Sequence, residues 1–342
     1  MQISLLPIEE FLKQLDKKEP VLFDTRSEKE YEKAHIPGAV SLPLLNNEHR
    51  QIIGTVYKNE GREAAVIKGF ELVGPLFHEI IKKATKIAAG KEVFLYCWRG
   101  GMRSNITAWL LKMAGLKVTL LKDGYKAYRH WVIDQFNKPL QILVLGGKTG
   151  SGKTEILTML KELGQQTIDL EFLASHKGSA FGLLGMPPQP SQEHFENLLG
   201  KAVSEIASDK IVWVENESRV IGKITVPNLI FERMRIAKVV DVQVIREQRV
   251  DRILKEYCVF PGDLLAEHTR RIEKRLGGQH VKVALEHLYA GNMIGWLDIV
   301  LEYYDRTYAH SNSQRDESNV FPLDFNWENT SQCLKNLIKA TN

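Results

Sequence analysis

Cys97 heads the run C-W-R-G-G-M-R-S (97–104), a thiol followed by two arginines, Arg99 and Arg103, and two glycines, Gly100 and Gly101. Gly100 and Gly101 allow the turn positive φ. A helix opening at Arg103–Ser104 turns its N-terminal amides toward the sulfur. Amides, a helix N-terminus and guanidinium groups all favour thiolate over thiol and hold an anion beside it, which is the setting of a nucleophile. A lone cysteine is more often an inert core residue, but core packing requires no such run of glycines and arginines. A second stretch, G-K-T-G-S-G-K-T (147–154), fits the G-x-x-x-x-G-K-[ST] phosphate-binding loop without a mismatch. Its backbone amides (Gly147, Lys148, Gly150, Ser151, Gly152) surround a di- or triphosphate, Lys153 adds a point charge, and Thr154 is placed to hold a Mg²⁺ ion.

Both loops need a strand before them and a helix after, and the pattern supplies these. Lys91–Tyr96 is a short apolar run closed by Gly90, predicting a buried strand that delivers Cys97. After the loop a helix is expected over Asn105–Ala114, with Ile106, Trp109, Leu110 and Met113 as its apolar face. Leu140–Leu145 and Glu155–Leu163 read as the strand and helix flanking the phosphate loop. Upstream, Pro7–Leu15 and Glu28–Ala34 read as helices, with Val21–Asp24, Ala39–Leu42 and Lys117–Leu121 as strands. Alternation of this kind implies mostly parallel α/β sheets. Pro139 interrupts helix, so the chain divides into 1–136 and 137–342.

The chain has 342 residues, 44% hydrophobic and 26% charged, with a net charge of only +4. A nucleic-acid partner must therefore be met by a local patch. Cys97, Cys258 and Cys333 are widely separated and odd in number, which argues against a disulfide framework and for a reducing cytosol. The acidic early N-terminus has no long apolar core and reads as no signal peptide. No run approaches membrane-spanning length, so a cytoplasmic protein without a membrane partner is expected.

D-T-R (24–26), E-Y (30–31), H-I-P-G-A (35–39), the strand-borne Cys97 and D-G-Y-K-A-Y (123–128) occur in order, and together resemble the rhodanese-like domain. The resemblance implies that the loop amides cradle a persulfide or related chalcogen adduct on Cys97. It also gives scaffold roles to Asp24, Arg26 and the Pro37–Gly38 turn. Ordinary sulfur-transferring members have four residues between the cysteine and the loop arginine; here Cys97 and Arg103 enclose five. That wider loop resembles the related dual-specificity phosphatases, whose loop holds a phosphate-sized group. Phosphate-ester hydrolysis and chalcogen transfer from a chalcogenophosphate both remain open. The segment after H-I-P-G-A is longer than a rhodanese needs; its mixed charges (His49, Arg50, Lys58, Arg62, Lys68) read as a solvated helical face, a lid or an RNA contact.

In the second domain Thr167–Leu170, Ile211–Glu215 and Val239–Ile245 read as strands. Glu215 stands where such folds place an acid near the metal, with Glu217 two places on. The loop H-K-G-S-A-F-G-L-L-G (176–185) reads either as a cover for an apolar tail or as a plain connection. Arg233–Lys282 holds twelve Lys/Arg against seven Asp/Glu. There the helix 246–258 is expected to pack Val250, Ile253, Leu254 and Tyr257, leaving Arg249, Arg252 and Lys255 as a solvated face or an RNA footprint. Y-Y-D-R-T-Y (303–308) is expected to end a helix and to pack, with a phosphate or base contact as the alternative.

A rhodanese-like domain with Y-C-W-R-G-G-M-R-S fused to a P-loop domain with G-G-K-T-G-S-G-K-T, D-L-E (169–171) and S-A-F-G (179–182) resembles the tRNA 2-selenouridine synthase family over nearly the whole chain. The resemblance implies an α/β fold: an N-terminal rhodanese-like parallel-sheet domain and a C-terminal P-loop NTPase-like domain with a helical C-terminal part. It also implies tRNA as partner and exchange of sulfur for selenium in wobble 2-thiouridine. Selenophosphate and geranyl diphosphate are the implied co-substrates, with S-geranyl-2-thiouridine between them, no tightly bound cofactor and no resident metal site. Cys97, Arg99, Gly100, Gly101 and Arg103 then carry the chalcogen step, and the phosphate loop with Glu215 carries the diphosphate. A nucleotide-dependent persulfide sulfurtransferase, a Cys-dependent phosphatase and a non-catalytic RNA-binding module are the competing classes.

Overall fold

The computed structural model describes residues 3–339. The chain forms two compact units: one ends at Gln135 and takes in Glu196–Lys201, the other comprises Phe136–Phe195 and the chain from Ala202 on.

The first unit runs β1 (Ser4–Leu6), α1 (Ile8–Lys18), β2 (Val21–Asp24), α2 (Glu28–Lys33), β3 (Val40–Ser41), α3 (Asn47–Glu60), α4 (Arg62–Val73), α5 (Phe77–Ala88), β4 (Val93–Tyr96), α6 (Met102–Met113), β5 (Val118–Leu121) and α7 (Gly124–Gln135). Its sheet has the order β1-β5-β4-β2-β3 and is parallel throughout. All four residues of β4 are fully buried, as a central strand covered on both faces must be. Parallel strands put their carboxyl ends on one edge. There β4 delivers Cys97, β2 delivers Asp24–Arg26 and β5 delivers Asp123–Gly124.

The helix after Cys97 begins three residues earlier than expected, at Met102, and its buried face is Ser104, Thr107, Ala108, Leu110 and Leu111. Trp109 and Met113 are 53% and 71% exposed, so they do not belong to the core face the apolar spacing suggested. The buried face mixes Ser104, Thr107 and Ala108 with Leu110 and Leu111, so apolar spacing alone could not phase it. β1 is a short edge strand between Met1 and Pro7 that hydrophobic periodicity could not register.

The second unit runs β6 (Gln141–Gly147), α8 (Lys153–Glu162), β7 (Gln166–Ile168), α9 (Leu170–Ala174), α10 (Gln192–Glu205), β8 (Ile211–Glu215), β9 (Val220–Ile221), β10 (Ile224–Thr225), α11 (Asn228–Ile236) and β11 (Val239–Gln243). A helical part follows: α12 (Arg246–Tyr257), α13 (Gly262–Arg271), α14 (Glu273–Leu276), α15 (Gly278–Tyr289) and α16 (Met293–Asn312), before β12 (Val320–Asp324) and α17 (Thr330–Lys339). The main sheet is parallel in the order β12-β11-β6-β8-β7; β9 and β10 form a small antiparallel hairpin. Chain order reverses around β6, the place where open α/β sheets bind ligands beyond the strand ends. The helical part has its own core, in which Phe181 and Leu184 pack with Ile253, Leu265 and Trp296. Tyr303–Tyr308 lies inside α16 rather than at its end. Among the described residues no helix is long and apolar enough to cross a membrane.

Candidate active sites

In the first unit Cys97 is buried, and its Sγ accepts hydrogen bonds at 3.2 Å from Gly101 N–H and at 3.2 Å from the Ser104 hydroxyl. Gly101 is the N-cap of α6, so one donor belongs to the helix start, where partial positive charge gathers. Only Gly100 takes positive φ (+63°); Gly101 has φ −95°, against the expectation for both. The two arginines part company. Arg103 is half-buried and donates through Nη1 to Glu30 at 2.7 Å, while Arg50 reaches the same carboxylate at 3.1 Å. Glu30 is accordingly held below its ordinary value: burial opposes this, but the Arg103 hydrogen bond and charge outweigh it. Arg99 is exposed. Direct donors to the sulfur are thus an amide and a hydroxyl, and Ser104 is a site residue that the sequence reading left as a helix opener.

The loop is braced from below by residues distant in sequence. Tyr125 N–H donates to Cys97 O at 2.8 Å, and Lys126 N–H donates to Trp98 O at 3.0 Å. A Cβ on Gly124 would stand 2.3 Å from Cys97 O and 2.5 Å from Gly100 N, so only glycine lets the 123–124 turn lie this close. Arg26 is buried, chelates Asp24 and donates to Ala34 O. Its guanidinium stacks on Tyr125, 3.8 Å from the ring centroid. The Tyr96 hydroxyl accepts from Ile36 N–H at 3.1 Å, fastening the H-I-P-G turn to β4. Asp24, Arg26 and the turn therefore occupy the scaffold positions that the resemblance implied.

In the second unit the phosphate loop joins β6 to α8. Gly147, Gly150 and Gly152 all take positive φ (148°, 80° and 85°), the backbone conformation that lets a loop curl amides around an anion, although Gly147 N–H is taken by Tyr308. Lys153 Nζ donates to Gly147 O at 3.0 Å. The loop is held from outside. Tyr308 Oη accepts from Gly147 N–H at 2.6 Å and donates to Asp241, Arg249 donates to Thr149 O at 2.8 Å, and Trp327 donates to Ser151 O at 3.2 Å. Arg249 is also paired with Asp305, and Arg252 stacks on Trp327 and pairs with Glu155. Arg249 is thus a buried brace of the loop rather than part of a solvated row, whereas Arg252 braces the loop from a partly exposed position and Lys255 stays exposed.

A cavity of about 1000 Å³ opens over the loop. Its lining brings Lys153 and Thr154 together with Glu171 and Glu217, and with the cations Lys177, Lys255, Arg271, Lys274 and Arg275. Glu215, assigned to phosphate binding from sequence, is fully buried behind this surface. Its Oε1 accepts from Glu171 N–H at 2.5 Å. Glu171 and Glu217 face the cavity instead, as do Glu155 and Glu256, and Thr154 donates to Glu171 at 3.3 Å. Burial, reinforced by the neighbouring Glu217 charge, pushes Glu171 up to about 8. Glu215 and Glu217 are raised too, burial again being the largest cause. Like charges gathered in a dry place cannot all ionise, so the cluster retains protons near neutrality. The S-A-F-G loop divides: Gly178–Ala180 line the cavity, whereas Phe181 is locked among Tyr257, His268 and Trp296 as core.

An amide-lined thiol loop on a rhodanese-like sheet, joined in one chain to a braced phosphate loop on a second parallel sheet, defines a fusion of a thiol-loop domain with a P-loop domain. Family comparison gives the same division: the rhodanese-like domain matches residues 7–130, and the tRNA 2-selenouridine synthase AAA domain matches residues 140–339. Curated proteins named tRNA 2-selenouridine synthase align over most of the chain. The one from Bdellovibrio bacteriovorus is 36% identical, covering 91% of this chain and 93% of its own. That from Shewanella denitrificans is 33% identical over 95% and 96%, and that from a Sulfurovum species 37% identical over 78% of each. The chain belongs to the tRNA 2-selenouridine synthase family and is an enzyme of that kind.

Proposed function

We propose that this enzyme exchanges sulfur for selenium in wobble 2-thiouridine of tRNA in two steps, one in each unit. In the first, the thiocarbonyl sulfur attacks C1 of geranyl diphosphate. The S–C bond forms, the C–O bond breaks, diphosphate departs, and the base gives up its N3 proton. The phosphate loop amides and Lys153 bind the diphosphate and stabilise its charge as it leaves. A magnesium ion carried with the diphosphate would find Thr154 and Glu171 as its ligands, and it would neutralise phosphate charge; a hydroxyl beside a carboxylate suits a hard cation.

S-alkylation makes C2 electrophilic. In the second step the selenium of selenophosphate attacks C2, the C–Se bond forms and the C–S bond breaks. Geranylthiolate leaves and is protonated, and water then splits the P–Se bond to release phosphate. The five-residue span from Cys97 to Arg103 supports a tetrahedral anion in the loop, with the Gly101 amide among its donors. The observation that carries the reading is this loop, in which an amide and a hydroxyl converge on one buried sulfur. Mass spectrometry of wobble nucleosides tests it. A deletion strain grown with selenite should lack 2-selenouridine and regain it with this chain. Complementation that restores a sulfur modification but no selenium would refute the assignment.

A further inference from the structure

Beside the thiol loop lies a cavity of about 200 Å³ enclosed by α3, α4, the start of α5 and the first turns of α6. Its walls are apolar: Ile53, Val66, Phe70, Phe77, Met102 and Ile106. Arg62 and Arg103 are the charged lining residues, and Arg103 is already committed to Glu30. Three lining side chains, Tyr57 (59%), Phe70 (49%) and Met102 (46%), stay exposed to water although large and apolar. Helices α3 and α4 are the segment that exceeded rhodanese needs, and Ala65 and Val73 are the residues they bury. A hydrophobic lining left open in this way marks a binding place rather than unfinished core.

Its occupant is constrained by what adjoins it. Met102 and Arg103 directly follow Gly101, whose amide holds Cys97 Sγ, so the first turn of the candidate active-site helix forms part of the cavity wall. We infer that this cavity receives the prenyl chain of the S-geranyl base while selenium is delivered at Cys97, and holds it as the thiol departs. The inference rests on the two-step reading above and adds to it a second apolar subsite, in the thiol unit, separate from the diphosphate cavity. An apolar chain of about ten carbons gains from burial in proportion to its length, so the pocket separates the alkylated base from the unalkylated one.

The test is equilibrium binding of the full chain to two anticodon-loop oligoribonucleotides, one with S-geranyl- and one with S-methyl-2-thiouridine. Two variants alter the cavity from opposite directions. Phe70→Asp places a charge at a half-exposed lining position. Gly69→Leu fills the space with apolar atoms at a helical site where the nearest atom to a new Cβ, Ile53 Cδ1, is 3.6 Å away. Wild type should prefer the geranyl oligonucleotide at least tenfold. Both variants should reduce that preference below threefold with S-methyl binding unchanged. A preference that survives in both variants, or none in wild type, overturns the inference, and leaves the cavity to an apolar side chain of another protein. Selenation of the geranyl oligonucleotide is measured alongside. No selenium with a variant-dependent preference sinks the reaction and keeps the pocket; normal selenation with an unaltered preference sinks the pocket and keeps the reaction.

Discussion

Gly124→Ala isolates what the bracing of the Cys97 loop contributes. Gly124 has φ +58°, and an alanine there carries a left-handed backbone cost of about 1–2 kcal/mol. Its Cβ would also sit 2.3 Å from Cys97 O, where 3.4 Å is ordinary contact, so the loop must recede by about 1 Å. A misplacement of that size costs about a hundredfold in rate, or roughly 2.7 kcal/mol of barrier. Gly115→Ala is the matched control: φ is +86°, so the backbone cost is similar, yet nothing lies within 4 Å of its Cβ. Selenation of S-geranyl-2-thiouridine tRNA, measured by nucleoside mass spectrometry under single-turnover conditions, should fall about a hundredfold in the first variant. In the control it should change by less than about threefold. Equal rates in the two variants would show that the 123–124 turn does not set the position of the thiol, and the bracing would have no catalytic consequence.

Other outcomes follow from the second unit. Because burial and the Glu217 charge raise Glu171 to about 8, the folded protein keeps a proton that the unfolded chain releases above about 4.5. The stability from that group is therefore largest at acid pH and is lost as pH rises toward 8. Urea unfolding should weaken by on the order of 1–3 kcal/mol between pH 5 and pH 8, and Glu171→Gln should flatten this slope; an unchanged slope would mean that Glu171 is ordinary. Tyr308→Phe removes the acceptor of Gly147 N–H and one of the donors to Asp241, which keeps Gln243. Diphosphate affinity, read by calorimetry, should drop about fivefold to tenfold, and affinity equal to wild type would assign the hydroxyl to packing alone.

Cys97 and the phosphate loop were legible because strand, loop and helix are adjacent in sequence and the glycines mark the turns. Their supports were not, since each comes from far along the chain. Glu30 reaches Arg103 across 73 residues, and Tyr308 reaches Gly147 across 161. The charge run 233–282 shows why a pattern of cations is ambiguous. Amphipathic spacing gave the packing of Ile253 and Leu254, but it could not tell a solvated face from one laid against a loop, where Arg249 is found. Glu215 was misplaced by the same limit: strand alternation does not show that the acid at a strand end points inward while Glu171 and Glu217 reach the cavity. The long insert read as polar because charges are interspersed throughout its apolar residues, although the latter converge once α3 and α4 pair.

The division of labour between the two loops is tested most directly by reconstituting both steps with purified chain, 2-thiouridine tRNA, geranyl diphosphate and selenophosphate. Lys153→Ala should make no S-geranyl-2-thiouridine yet still convert the pre-geranylated tRNA to its seleno form. Cys97→Ala should accumulate S-geranyl-2-thiouridine and go no further. Loss of both steps in the Cys97 variant, or continued geranylation in the Lys153 variant, would contradict the assignment of one step to each unit.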